Sequence, residues 1–203
     1  LYQQNGLGAA PPRAEQRRFV RATDALVGLV ASLRDAGETP RARIGFAAHS
    51  LRAVAPDNLA AALAAMAAID DSMPRHIHVA EQRREVDECK AFHHRRPVAW
   101  LLDHARVDRH WCLVHATHMD DAECDAAARS GAVAGLCPTT EADLGDGTFA
   151  MPRWRAAGGR WGIGSDSHVC VDAALELAAL EYSQRLATGQ RNVIAGESEP
   201  DVA

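Results

Sequence analysis

The chain lacks an excess of positive charge and any long apolar run. Its 203 residues carry a formal net charge of -5, which gives no electrostatic reason to expect a nucleic acid or an anionic membrane as a partner. No segment approaches the ~18 apolar residues of a membrane-spanning helix. The first residues, LYQQNGLGAAPPR, do not have the pattern of a signal peptide. The composition favours a cytoplasmic protein without nucleic-acid or membrane partners.

Paired cysteines and aromatic residues are also scarce. The five cysteines are scattered without a CxxC pair and their number is odd, so reduced thiols that pack in the interior are the simplest interpretation. Only 5% of the residues are aromatic, which leaves few rings to line a binding pocket. The rest of the composition is that of one globular domain, long enough to bury a sizeable core.

Neither end of the sequence has the features of a complete domain. There is no initiating Met, Leu1-Tyr2 begins as if within a strand, and the tail GESEPDVA ends without an obvious final element. We therefore expect this sequence to be part of a longer polypeptide.

Short apolar runs of β type alternate with longer helical stretches. The predicted strands are residues 42–49, 76–81, 111–117, 132–139 and 160–166. The predicted helices are residues 13–36, 56–69, 83–104 with a break near Pro97, 120–129 and 173–186, and residues 141–147 (EADLGDG) are predicted as a loop. Five β-α units of one polarity predict an α/β fold with a parallel sheet covered by helices.

Two architectures fit this alternation, a doubly wound sheet and a (β/α)8 barrel. No G-x-G-x-x-G follows the first predicted strand, which removes the main reason to prefer a dinucleotide-binding sheet. A full barrel typically needs ~250 residues. The chain is therefore predicted to be a partial (β/α)8 TIM barrel, with residues 1–203 forming one incomplete domain.

Polar side chains that could perform chemistry follow the predicted strands at their C-terminal ends. They are His49, His78, Glu81, His115 and Asp166. Barrel enzymes build their active sites at this end of the strands. A single histidine in such a place is more often a hydrogen-bonded structural residue, but several on successive or nearly successive strands favour a shared site.

The residue types in this set suit one metal ion. Imidazole and carboxylate are zinc ligands, and a catalytic zinc keeps one position open for water. His78 and Asp166 are the ligand candidates. His76 faces the same side of its strand as His78, but His78 is preferred because it lies nearer the strand end.

Two further members of the set admit alternative roles. Glu81 could carry a proton between water and a leaving group, or it could be a solvated carboxylate that opens the following helix. His115 could hydrogen-bond the attacking hydroxide or act as a further metal ligand.

Longer strings around these residues resemble a known family. They are HSLRAV (49–54), HIHVAEQRREVDEC (76–89), RRPVAWLLDHARVDRHWCLVHATHM (95–119), GAVAGLCPTTEADLGDG (131–147) and RWGIGSDSHV (160–169). These strings closely resemble the formimidoylglutamate deiminases of the amidohydrolase superfamily, and the likeness runs through nearly the whole chain.

This resemblance implies a fold, a metal and a reaction. The fold would be a metal-dependent hydrolase barrel that lacks its N-terminal strands and runs from about the end of strand 3 to helix 8. With one zinc ion, the enzyme would hydrolyse N-formimidoyl-L-glutamate to N-formyl-L-glutamate and ammonia in histidine degradation.

The same resemblance implies a role for each site residue. His78 and Asp166 would bind zinc, and Asp166 would also act as the base. Glu81 would be the proton shuttle and His115 would orient the hydroxide. His49 and Arg52 would face a small-molecule substrate. A homodimer is left open as the oligomeric state.

One element of the family pattern is missing. The family has a His-x-His pair after its first strand that supplies two zinc ligands, and no histidine precedes His49 here. We therefore expect the isolated chain to bind zinc weakly and to release no ammonia.

Two other functions stay open at this point. The first is a related deaminase acting on a heterocycle, which should line its pocket with stacking aromatic residues. The second is an inactive fragment. The scarcity of aromatics and the position of Arg52 beside His49 favour an anionic substrate over a heterocycle.

Overall fold

The computed structural model describes residues 1–195 of the chain. The strands are β1 (Phe46–Ser50), β2 (Arg75–Val79), β3 (Trp111–His115), β4 (Val133–Leu136) and β5 (Arg160–Ile163). After a 3-10 helix (Ala14–Phe19), the α-helices are α1 (Thr23–Gly37), α2 (Pro56–Ile69), α3 (Arg83–His93), α4 (Pro97–His104), α5 (Asp121–Arg129), α6 (Pro138–Leu144), α7 (Met151–Ala156) and α8 (Ala173–Thr188).

The five strands form one parallel sheet in the order β1-β2-β3-β4-β5. Each strand pairs with the next strand along the sequence, and helices form the connections between them. This confirms the α/β prediction, and the sequential order is that of consecutive units in a (β/α)8 barrel. Within the described residues, no helix is long and apolar enough to cross a membrane.

The sheet has one buried and one open face. Along β1, Phe46 and Ala48 are buried and alternate with the exposed Ala47 and His49, because successive side chains of a strand point to opposite faces. Helices α2 to α5 share one hydrophobic core with the buried face of the sheet. Their residues in this core are Leu59, Ala62, Met66, Val86, Cys89, Val98, Leu101, Cys124 and Ala127. In a closed barrel the open face is the interior.

Strand register orders the residues of this open face. His76 pairs with Ala47 and Cys112, whereas His78 pairs with Val114, one row closer to the C-terminal strand ends. The two histidines therefore share a face, as the alternation predicts, and His78 is the one nearer the strand end.

The structure differs from two of the predicted elements and adds one helix that was not predicted. The predicted helix 13–36 is a 3-10 turn followed by α1, which begins at Thr23. Residues 141–147, predicted as a loop, continue α6 as far as Leu144, where Gly145 ends the helix with a φ of 68°. Helix α7 was not predicted, because six residues are too few to display a helical repeat.

The first residues extend the sheet beyond β1. The amino group of Leu1 donates to the carbonyl of Ala47, and the amide of His49 donates to the carbonyl of Leu1 at 2.9 Å. The ring of Tyr2 packs edge-on against the ring of His49, with 4.9 Å between centroids. Residues 1 and 2 therefore contact both the backbone and the ring of His49.

Gly159 offers a test of packing at the start of β5. A Cβ at this position would overlap the indole of Trp154, which is fully buried and donates from Nε1 to the carbonyl of Arg160 at 3.0 Å. We expect Gly159→Ala to lower the free energy of unfolding by about 1–3 kcal/mol, measured by urea denaturation. In the matched control Gly162→Ala, the added methyl meets no atom within 4 Å. Equal losses in both variants would contradict the steric explanation.

Candidate active site

The predicted site residues converge at the C-terminal ends of the strands. The rings of His49 and His78 lie 4.9 Å apart, and those of His78 and His115 lie 5.6 Å apart. Nε2 of His115 is 3.7 Å from Oε1 of Glu81 and 3.8 Å from Oδ2 of Asp166. The structure therefore brings together these five side chains from the ends of four strands, with His115 at the centre.

The backbone at these strand ends adopts unusual conformations. His115, Ala116 and Asp166 have positive φ angles of 65°, 51° and 41°, and Ala80, which precedes Glu81, has a φ of 52°. Non-glycine residues rarely adopt the left-handed region, and such strain concentrates at functional sites. By the alternation along β3, the side chain of His115 would point to the buried face of the sheet. The positive φ at His115 interrupts this alternation, and its ring therefore lies close to Glu81 and Asp166.

Neighbouring groups shift the pKa values of two histidines in the site, His115 and His49. Burial alone would lower the pKa of His115, but the hydrogen bond to Glu141 and the charges of Glu81 and Asp166 raise it above its ordinary value. The pKa of the exposed His49 falls to about 4, because neighbouring protein atoms reduce the hydration of its ring and because it lies beside His78 and Arg52.

Arg52 lies at the rim beside Glu81. Its Nη2 atom is 3.8 Å from Oε2 of Glu81, and its buried Nε atom has no hydrogen-bond partner among the described residues. A pocket of about 320 Å³ opens next to it and is lined in part by Arg13, Arg52 and Arg84, with Glu88 as the carboxylate among its lining residues. The pocket therefore carries an excess of positive charge.

Glu85 holds the turn that carries Glu81. Its side chain is buried, and its two oxygens accept from the amides of Ala80 (3.0 Å) and Glu81 (3.1 Å). Burial raises the pKa of Glu85. Sequence reasoning did not single out this residue, although a glutamate four positions after Glu81, in the first turn of a helix, is a recognisable signal for such a contact.

The segment Cys137–Glu141 ties two site residues to the scaffold. Oε1 of Glu141 accepts from the amide of Cys137 (2.9 Å) and pairs with Nδ1 of His115 (3.2 Å). Oγ1 of Thr140 accepts from the amide of Ser167 (3.3 Å) and contacts its hydroxyl (3.0 Å), immediately beside Asp166. Thr140 and Glu141 lie in one of the strings that carry the family resemblance, but no local sequence pattern predicts a role for either of them.

Two groups of side chains have the chemistry of a metal site. Ligand atoms of the buried His115, Cys137 and Glu141 lie within 4.8 Å of one another. In this group Glu141 already accepts two hydrogen bonds, and burial raises the pKa of the Cys137 thiol to about 12, so the thiol is neutral.

The second group consists of His78 and Asp166, on the open side of His115. Nδ1 of His78 is hydrogen-bonded to the carbonyl of His49 at 2.8 Å, which leaves Nε2 for a metal. Metal-binding histidines usually have their second nitrogen held in this way. The side chain of Asp166 is one-third exposed, and its Oδ2 lies 3.8 Å from Nε2 of His115, whose ring is 5.6 Å from that of His78. This imidazole-carboxylate pair fits a zinc ion.

The carboxylate of Glu85 can be tested without an activity assay. In Glu85→Gln one of the two oxygens becomes an amide NH2, so one buried backbone N–H loses its acceptor. We expect the free energy of unfolding to fall by about 1–3 kcal/mol, measured by urea denaturation. The control is Glu88→Gln on the same helix, where the ion pair with the exposed Arg84 should contribute only about 0–1 kcal/mol. A similar loss in both would show that Glu85 does not hold the turn.

Comparison with known proteins identifies relatives of this chain. The chain is 50% identical over 200 residues to the formimidoylglutamate deiminase of Pseudomonas aeruginosa, covering 98% of this chain and 44% of that protein. A crystal structure of an amidohydrolase from Brucella melitensis superposes with a TM-score of 0.89 at 46% identity, covering 98% of this chain and 44% of the other.

More distant structures share the fold. An adenosine deaminase from Xanthomonas campestris with bound zinc superposes with a TM-score of 0.76 at 23% identity, covering 96% of this chain and 42% of the other. The chain thus spans less than half the length of these proteins. The model of the Amidohydrolase family matches residues 8–196, and the chain therefore belongs to the amidohydrolase family.

Proposed function

We propose that this chain contributes the catalytic half-site of a zinc-dependent deiminase that hydrolyses N-formimidoyl-L-glutamate to N-formyl-L-glutamate and ammonia. The observation that carries the proposal is the cluster of Glu81, His115 and Asp166 beside a pocket lined by arginines. The similarity to the Pseudomonas aeruginosa deiminase over 98% of the chain supports the choice of substrate. We also propose a cytoplasmic location, as expected for a small-molecule enzyme of a degradative pathway.

His78 and Asp166 would hold the zinc ion. When bound, zinc lowers the pKa of a coordinated water toward neutrality and polarises the carbon to be attacked. The free Nε2 of His78 and the one-third-exposed carboxylate of Asp166 would supply the donors from this chain. The resemblance places two further ligands in a His-x-His pair after the family's first strand, and no histidine precedes His49 in these 203 residues.

The proton transfers can be assigned to two carboxylates on either side of His115. Asp166 would accept a proton from the attacking water as the water oxygen bonds to the formimidoyl carbon. With Glu81 as the carrier, this proton and the one left on the attacking oxygen would pass to the terminal nitrogen. The bond between that nitrogen and the carbon would then break, the oxygen would become the formyl carbonyl, and ammonia would leave. Nε2 of His115 faces both carboxylates, at 3.7 and 3.8 Å, and can hydrogen-bond the attacking oxygen.

Substrate choice would depend on the rim of the site. The glutamyl part of the substrate carries two carboxylates, and Arg52 can grip one of them with two parallel hydrogen bonds. The unpaired Nε of Arg52 and the positive lining of the adjacent pocket support this role. A heterocycle deaminase would need stacking aromatics, and Tyr2 is the single aromatic residue among those that line this pocket.

The two candidate metal sites, the buried His115–Cys137–Glu141 group and the His78–Asp166 pair, predict different effects of substitutions on zinc affinity. We expect His78→Ala and Asp166→Asn to weaken zinc binding by more than the roughly 10- to 100-fold that follows loss of an outer hydrogen-bond partner. Cys137→Ala should leave the affinity unchanged. Isothermal titration of the metal-free complete gene product with zinc measures each constant. The opposite pattern, in which Cys137→Ala weakens zinc binding and His78→Ala leaves it unchanged, would show that the metal binds the buried group.

Steady-state kinetics on the complete gene product test the assigned substrate. Arg52→Lys should lower kcat/KM for formimidoylglutamate by an amount equivalent to roughly 2–5 kcal/mol, because a desolvated charge pair is broken. Glu81→Gln should abolish turnover while substrate binding is largely retained, because a proton carrier is lost and not an anchor. Zinc content should stay constant in both variants.

The control for the arginine is Arg106→Lys, which changes an exposed residue paired with Asp71. This variant should behave as wild type. If Arg52→Lys also behaves as wild type, the carboxylates are held elsewhere and the heterocycle alternative gains weight. If the unmodified gene product binds zinc but releases no ammonia, the inactive alternative is correct.

A further inference from the structure

Glu141 occupies a position that the reaction described above does not use. Its side chain is buried under the site, where Oε1 accepts from the amide of Cys137 at 2.9 Å and lies 3.2 Å from Nδ1 of His115. His115 itself is 1% exposed. An ionised carboxylate has no hydrogen to donate and can only accept. Nδ1 of His115 must therefore be the donor in this contact.

The carboxylate is held in place from several directions. Pro138 begins α6, and Thr139 donates from its amide (3.0 Å) and its hydroxyl (2.6 Å) to the buried Glu176 of α8. Thr140 is hydrogen-bonded to Ser167 at the end of the following strand unit. These bonds fix α6 against two neighbouring elements, so Glu141 cannot follow His115 if the ring turns.

We propose that Glu141 is a positioning residue that keeps a hydrogen on Nδ1 of His115 and thereby presents Nε2 to Glu81 and Asp166. A ring rotated by 180° would place a carbon against Oε1 of Glu141 and lose the bond in a dry environment, where hydrogen bonds are strongest. The same rotation would also remove Nε2 from its place 3.7 Å from Glu81 and 3.8 Å from Asp166. The catalytic consequence rests on the proposed deiminase function, but the assignment of the hydrogen does not.

The state of the ring can be read directly by NMR. Long-range 1H–15N spectra of histidine-labelled protein, recorded at a pH where the ring is neutral, distinguish a hydrogen on Nδ1 from one on Nε2. We expect His115 in the unmodified protein to carry it on Nδ1. A hydrogen on Nε2 would overturn the proposal without any variant being needed.

Two substitutions separate the acceptor from the charge. Glu141→Gln keeps a carbonyl oxygen that can accept from both Nδ1 and the Cys137 amide, so the Nδ1 hydrogen should persist. Glu141→Leu removes the acceptor, and the His115 signals should shift to a mixture of both forms. Asp143→Leu, on the exposed side of α6, is the control and should leave the His115 spectrum unchanged. Unchanged His115 signals in a folded Glu141→Leu protein would overturn the proposal.

Kinetics of the complete gene product then test the catalytic consequence. Glu141→Leu should lower kcat by at least about tenfold with little change in KM, and Glu141→Gln should recover most of this loss, as expected when an outer partner orients an imidazole. If Glu141→Leu does not fold, the spectra of the unmodified protein and of Glu141→Gln still decide the assignment. If the unmodified gene product has no deiminase activity, the proposed function fails while the NMR result stands by itself.

Discussion

Buried carboxylates that accept hydrogen bonds from backbone amides are the interaction on which this site depends. Glu85 binds the amides of residues 80 and 81, Glu141 binds that of residue 137, and Glu176 binds that of residue 139. Glu123 does the same for residues 99 and 120. A buried carboxylate is costly unless its oxygens are satisfied. Because each of these carboxylates accepts from at least one backbone N–H group, the loops are held in a single conformation.

These carboxylates also explain how the strained backbone at the strand ends persists. Left-handed conformations at Ala80, His115 and Asp166 each cost on the order of 1–3 kcal/mol unless the surroundings impose them. Glu85 imposes the turn after Ala80, Glu141 is bonded to His115, and Thr140 is bonded to the residue beside Asp166. Side chains from separate strands can therefore meet within 4 Å of His115.

The sequence was sufficient to predict the parallel sheet and the clustering of the site residues. Strand alternation and the position of polar residues at strand ends are local signals, so His49, His78, Glu81 and Asp166 could be found from them. The contributions of Glu85, Thr140 and Glu141 could not be found in this way. Their importance comes from burial and from contacts across 4 to 27 positions of the chain, and helical periodicity carries no information on either.

The sequential order of the strands also bears on how the site is assembled during synthesis. Each strand pairs with the one made just before it, across 21 to 36 positions in pairs such as Cys112–Val133 and Arg75–Trp111. The N-terminal part of a chain leaves the ribosome first, so β1 and β2 are synthesised before β5 exists. Asp166 follows β5, and the nascent chain therefore presents His78 long before its partner carboxylate arrives. Within residues 1–195, the proposed His78–Asp166 metal pair is therefore complete only after the last strand has been added.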